Sequence, residues 1–257
     1  TRKESSAASD VYKRQHHTYR VLPYLGYLRQ NASVSPVNRT TLTQSLSVSL
    51  PVGAYGIAFG AASVAAGFSV LQSCLISLLT FSGASQFALV GVMGSGGTAL
   101  SATATASLLG TRNLLYGLQM APILRTRRVK KVIAAQLTID ESTAVAISLE
   151  KAGTKSMQQG FWYTGIGVYI FWNLFTLLGA LGAQAMGDPA AFGLDAAVPA
   201  AFLGLVWPRL TGKNERALAV SAVALALIIT PYVPAGLPII STALLAVLFG
   251  LRGRVWR

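Results

Sequence analysis

Long apolar stretches separated by short basic loops dominate this chain and leave few folds open to it. Apolar runs cover 43–68, 70–93, 98–122, 161–186, 196–208, 217–230 and 237–251. Basic residues gather between and after them: Arg125-Thr-Arg-Arg-Val-Lys-Lys131, Lys151 to Lys155, Arg209 to Arg216 and Arg252-Gly-Arg-Val-Trp-Arg257. About 20 apolar residues cross a bilayer as a helix. Backbone in lipid must also satisfy its own hydrogen bonds, so only helices and closed barrels cross. The period-two alternation of a membrane barrel is absent. The chain is 53% hydrophobic and 11% charged, against about 25% charged in soluble domains. These features predict an all-α, polytopic membrane protein.

The net charge of +13 raises the question of nucleic acid. The basic residues sit in the loops between apolar segments, which is the pattern of positive-inside topology rather than a binding patch. The surroundings implied are a lipid bilayer, with no nucleic acid. The single cysteine, Cys74, lies in an apolar run and reads as packing; no disulfide forms within one chain from one thiol. Both histidines, His16 and His17, fall in the leader, so a histidine metal site or proton relay in the membrane is excluded. No cofactor or metal is implied.

The leader, residues 1–40, is polar and has no sustained apolar period. It reads as disordered and in part non-native, because the run from Ser6 to Gln15 resembles translated adapter sequence. Residues 41–257 read as one transmembrane transport domain.

Topology sharpens the expectation. Placing the loops at 125–131, 151–155 and 209–216 and the C-terminus on the cytoplasmic side works if 132–150 does not cross. Three full crossings before Arg125 then put the N-terminus outside. A cytoplasmic N-terminus requires one of the three to be re-entrant. The first, with Pro51 and Gly53, is the best candidate, since proline removes a backbone hydrogen bond and glycine weakens a helix. This gives about six to eight membrane segments with at least one broken or re-entrant.

Polar residues inside these segments mark the candidate site. Arg112, Asn113, Tyr116 and Gln119 lie in the second half of the apolar run that ends at Pro122. Arg112 lies roughly 20 Å along the axis from Arg125, deep in the hydrocarbon layer, where an arginine costs at least about 2.5–3.5 kcal/mol. Positions 112, 116 and 119 share one helical face, which reads as the lining of a solute pathway. At Pro51-Val-Gly53 two readings stand, a discontinuous, site-forming helix or a simple kink. Gly56 and Gly60 read as close helix packing. Gln86 either bonds across helices or contacts a solute. Asp140-Glu141 is either an interfacial pair answered by lysines or a pathway acid that titrates. Asp195 is either a helix N-cap or a third pathway carboxylate.

From Leu50 to about Pro208 five motifs occur in order: Pro51-Val-Gly53 with Ala58-Phe59-Gly60; Phe81-Ser-Gly-Ala-Ser-Gln86-Phe87; Arg112-Asn-Leu-Leu-Tyr116-Gly117 with Ala121-Pro122; Thr138-Ile-Asp140-Glu141; and Gly193-Leu-Asp195-Ala-Ala-Val-Pro199-Ala-Ala-Phe202. In these the chain resembles the AzlC family, the large subunit of branched-chain amino acid exporters. The resemblance implies export of valine, leucine, isoleucine and methionine across the inner membrane, with a small AzlD-type membrane subunit as partner. The family often carries Asn-Leu-Arg-His ahead of the Tyr-Gly pair; Gly110 and Asn113 stand here in place of that Asn and His. Proton coupling would then fall to Asp140, Glu141 or Asp195.

Under this reading Arg112 holds the solute's carboxylate, Gln86 and Asn113 accept from its ammonium, and backbone amides at Pro51 to Gly53 assist. No nucleotide-binding GxxxxGK[ST] motif occurs, so a gradient or a partner supplies the energy. Three rivals remain: a membrane scaffold subunit, a pore for another small solute, and an intramembrane enzyme. The last lacks a membrane histidine and any HExxH motif.

Overall fold

A computed structural model of the chain describes residues 39–187, 191 and 196–255. Ten α-helices and no strand occur among them: α1 (Arg39–Ala65), α2 (Val70–Leu79), α3 (Gly83–Gly94), α4 (Ala99–Leu124), α5 (Val129–Gln136), α6 (Asp140–Ser148), α7 (Thr154–Ala185), α8 (Ala197–Val206), α9 (Lys213–Ile229) and α10 (Leu237–Val255). By length and composition α1, α7 and α9 with the turn that follows it suffice to cross a membrane. The polar leader call falls almost wholly outside the described residues.

The centre of the fold is the pair α1 and α7, which run parallel. Ser49 Oγ donates to the Thr164 carbonyl at 3.2 Å. Further along, Gly53 lies on Phe171, Gly56 on the Trp172 carbonyl and Gly60 on that of Thr176. Gly179 answers from α7, against the backbone of Ile57. A Cβ at Gly53, Gly60 or Gly179 would overlap the facing helix, so the close approach depends on these glycines.

Pro51 lies inside α1 without breaking it. The expectation that the first apolar segment is the re-entrant one is therefore corrected. Its long packing seam on α7 holds it helical past the lost hydrogen bond.

The segment that folds back on itself is the second. α2 and α3 form a hairpin: Gly94, at the end of α3, abuts Ala66, beside the start of α2. Both of its ends lie on one side, at the far ends of α1 and α7. A second hairpin enters from the opposite side. Gln158 near the start of α7 donates to the Ile123 carbonyl at the end of α4 at 2.8 Å. That places the basic loop after α4 and the start of α7 together. α5 and α6 leave and return between them, with Gly160 against Leu149 and Gly165, deeper along α7, against Leu137. The stretch 132–150 therefore does not cross, as its polarity required.

The remaining segments alternate. α8 runs back from the far side toward the basic side, and α9 rises again. The turn after α9 brings Gly236 against Ser101 and Thr105 near the start of α4. α10 then returns. With α1 rising, the N-terminal end of the described chain lies on the basic side.

Candidate functional site

The two hairpin tips meet beside α7, and the half-helix ends at both must find hydrogen-bond partners. At the first tip, the carbonyls of Leu78 and Leu79 accept from Gln136 Nε2 at 3.0 and 3.3 Å. Leu78 also accepts from the Tyr169 hydroxyl at 3.2 Å, and Ser77 from Gln86 Nε2 at 3.3 Å. At the second tip, the Ser142 hydroxyl donates to the Leu137 carbonyl at 2.7 Å and accepts from the Ile139 N–H at 3.1 Å. Gln136 thus ties one hairpin to the other directly.

A cavity of about 120 Å³ opens where the tips face α1, α4 and α7. The start of α3 (Ser82, Gly83, Ala84) and the start of α6 (Asp140, Glu141) both border it. Ser82 makes no side-chain cap to α3, so the first amides of that half-helix are not answered by a side-chain cap. Helix N-termini carry partial positive charge that favours anions. Val52, Phe81, Phe87, Val168 and Trp172 supply an apolar wall.

The charged group is a three-member cluster. Arg112 Nη1 lies 2.8 Å from Asp140 Oδ2, and Arg209 Nη2 lies 3.7 Å from the same oxygen. The Arg112 and Asp140 side chains are 33% and 22% exposed, that of Arg209 66%. Glu141 borders the same cavity. Two guanidinium groups and two carboxyl groups therefore share it, equal in number. Arg112 Nε and Asn113 Oδ1 are buried without a hydrogen-bond partner. They leave one donor and one acceptor unused beside the ion pair.

The structure brings together Arg112, Asn113, Asp140 and Glu141 among the residues singled out in the sequence. The acids at 140 and 141 meet arginines rather than lysines. Tyr116 is half-buried, one turn along α4 from Arg112, and does not border the cavity. Gln86 is fully buried and acts as a tie: its Oε1 accepts from Trp172 Nε1 at 2.9 Å. Pro51 is exposed, and Gly53 is pressed against α7. With α1 unbroken there, the expected free amides at Pro51–Gly53 are not formed. Asp195 lies outside the described residues. Arg209, assigned in the sequence to a solvated basic loop, is the addition; nothing in its local sequence separates it from its neighbours.

Comparison with known proteins places the site in a family. Residues 47–186, more than half of the chain, match the family model described as AzlC protein. The chain belongs to the AzlC family. It is 33% identical over 197 residues to a protein of Archaeoglobus fulgidus described as an uncharacterized membrane protein, covering 76% of this chain and 85% of that one. It is 26% identical over 169 residues to the inner membrane protein YgaZ of Escherichia coli, covering 62% and 67% respectively. No solved structure matches. The span matched to the AzlC model takes in both hairpins, Arg112, Asp140 and Glu141, and stops before Arg209. Membership agrees with the apolar helices in making this a multi-pass membrane protein.

Proposed function

We propose that this AzlC-family protein is a secondary exporter of amino acids with branched apolar side chains, working in the inner membrane with a small AzlD-type subunit. The observation that carries the reading is the cavity at the hairpin tips, where both charge signs meet an apolar wall. A zwitterionic amino acid needs this combination. Its carboxylate suits Arg112, whose unused Nε–H and planar fork favour bidentate contact, with the start of α3 nearby. Its ammonium suits Asp140, Glu141 and the free Asn113 oxygen. Its side chain lies against Val52, Phe81, Val168 and Trp172.

The two hairpins entering from opposite sides support alternating access, since broken helices at mid-depth form the sites of many secondary transporters. Asp140 and Glu141 are the proton-coupling groups of this reading. One charge moved through 100 mV supplies about 2.3 kcal/mol, enough for roughly fiftyfold accumulation. YgaZ is named as an inner membrane protein, which fits the assigned membrane. α9 buries none of its residues within the chain, leaving it free for lipid and a second subunit.

The test is efflux of labelled valine and methionine from dipeptide-loaded cells, with and without the small subunit. Efflux that requires the chain and disappears in Arg112→Ala, with insertion unchanged, supports the reading. Unchanged intracellular levels with both subunits present refute it. A pore that admits these amino acids would pass label down its gradient regardless of proton supply, and a pore for another solute would pass none. A scaffold would retain its partner in Arg112→Ala and show no efflux to lose.

A further inference from the structure

A second cavity lies on the far side of the molecule, about 540 Å³ in volume, between the ends of α1 and α3, the start of α8 and the turn before α10. Ala62, Ala66, Gly91, Pro199 and Phe202 are among its walls, and no charged residue borders it among the described residues. Only one described residue borders both this cavity and the charged one at the hairpin tips, and that residue is Phe87.

Phe87 is 1% exposed and sits in an aromatic layer. Its ring meets Phe59 edge-on at 5.7 Å, Trp172 at 6.3 Å and Phe202 at 6.1 Å. The layer is not equally fixed throughout. Trp172 is held by its hydrogen bond to Gln86, and Phe59 is fully buried on α1. Gln86 also anchors α3 one residue before Phe87, so the backbone of the gate is pinned while its ring has apolar packing and no hydrogen bond to hold it. Phe202 rides on α8, the segment that also leads to Arg209.

We propose that Phe87 is the outer gate of the pathway, and that the apolar cavity beyond it is the release vestibule. The inference rests on the export reading above. In this arrangement the charged cavity is closed toward the far side. A solute passing Phe87 leaves the groups that hold its charged ends and meets mainly apolar walls, relieved by the Ser95 and Thr230 side chains and by no described charged residue. Affinity falls along the path, which favours release. Swinging the Phe87 ring, with Phe202 yielding on α8, joins the two cavities without moving the anchored tip.

Single-cysteine accessibility tests this in the full chain, with Cys74 replaced by alanine. A membrane-impermeant maleimide is applied to whole cells or to inside-out vesicles. Ala66→Cys, in the vestibule, is expected to react from outside. Val52→Cys, in the charged cavity, is expected to react much faster in inside-out vesicles than from outside. Adding Phe87→Ala should raise outside labelling of Val52→Cys by roughly tenfold or more, as when a minor open state becomes the main one. Phe87→Leu, which keeps apolar bulk, should give a smaller rise and serves if the alanine variant fails to insert. Outside labelling of Val52→Cys with Phe87 intact as fast as with Phe87→Ala, or no rise in either variant, overturns the gate. This labelling does not depend on what is carried. The expected pattern without valine efflux would refute the export reading alone, and efflux without the pattern would refute the gate alone.

Discussion

The two re-entrant hairpins share a backbone design and differ in chemistry. Each enters the membrane layer, breaks over three residues and returns: 80–82 in the first, 137–139 in the second. The first tip carries no charge. Its polar groups are spent on structure, with Gln86 holding Trp172 and Thr80 donating to the Ile76 carbonyl at 2.7 Å. The second tip carries Asp140 and Glu141 in the first turn of α6, the end at which the helix dipole favours acids. Arg112 comes from α4, the helix between the hairpins. One hairpin therefore frames the site and the other charges it. Changes at the first should lower stability before transport, and changes at the second should do the reverse.

The largest effect is expected from separating the ion pair. Arg112→Ala leaves the Asp140 carboxylate with only the more distant Arg209, and should reduce efflux by roughly a hundredfold or more, about 2.7 kcal/mol of binding or transition-state stabilisation. Removing one partner of a buried pair costs about 3–5 kcal/mol of stability; partial exposure here brings the expectation to about 1–2 kcal/mol. The double variant Arg112→Ala/Asp140→Ala should melt higher than Asp140→Ala alone, because no unpaired charge remains between the two positions. Melting of the purified protein together with efflux checks both. A double variant that melts lower by the sum of the two singles would show that the pair is not coupled.

Next comes Gln86→Leu, the counterpart on the neutral tip. It orphans the buried Trp172 indole N–H, for which about 1–3 kcal/mol of destabilisation is expected. Efflux should fall less than tenfold in the fraction that remains folded. Tryptophan emission should shift as the indole loses its partner. Strong loss of efflux at unchanged stability would make Gln86 a solute contact and erase the contrast between the hairpins.

What the sequence could convey follows from these same residues. The all-helical membrane class was legible because lipid makes apolar run length decisive. Arg112 stood out as a cation inside an apolar run, but its contact with Asp140 was not visible in the sequence. The hairpin at 70–94 was not. A run of that length satisfies hydropathy equally well as one straight span or as two returning halves. The decision comes from Ala66 meeting Gly94 and from Gln136 reaching the α2 carbonyls, which are long-range contacts. Pro51 misled for a related reason: the local cost of proline was clear, but the glycine seam on α7 that outweighs it spans both helices. Arg209 resembles the loop around it until α8 carries it to Asp140.

A smaller effect is expected where the hairpins touch. Gln136→Ala withdraws the amide that meets the Leu78 and Leu79 carbonyls. The net cost of such bonds is about 1 kcal/mol each, and water entering the tip would offset part of it. Hydrogen exchange at 77–82 should rise more than at 137–142, because the second tip keeps its Ser142 bonds. Equal loosening of both tips would mean that they act as one unit.

The smallest effect belongs to Arg209→Gln, and its size tests which arginine the site is built on. At 3.7 Å and two-thirds exposed, this guanidinium is worth under about 1 kcal/mol to stability, and less as salt rises. Melting should be nearly unchanged. Efflux should weaken only a few-fold, through poorer capture of the solute rather than slower transfer, since Arg112 keeps its 2.8 Å contact with Asp140. The ionic-strength dependence of capture should flatten in the variant, because the exposed cation is the one that mobile ions screen. If Arg209→Gln instead matched Arg112→Ala in severity, the charged tip would need both cations, and its working partner would be α8 as much as α4.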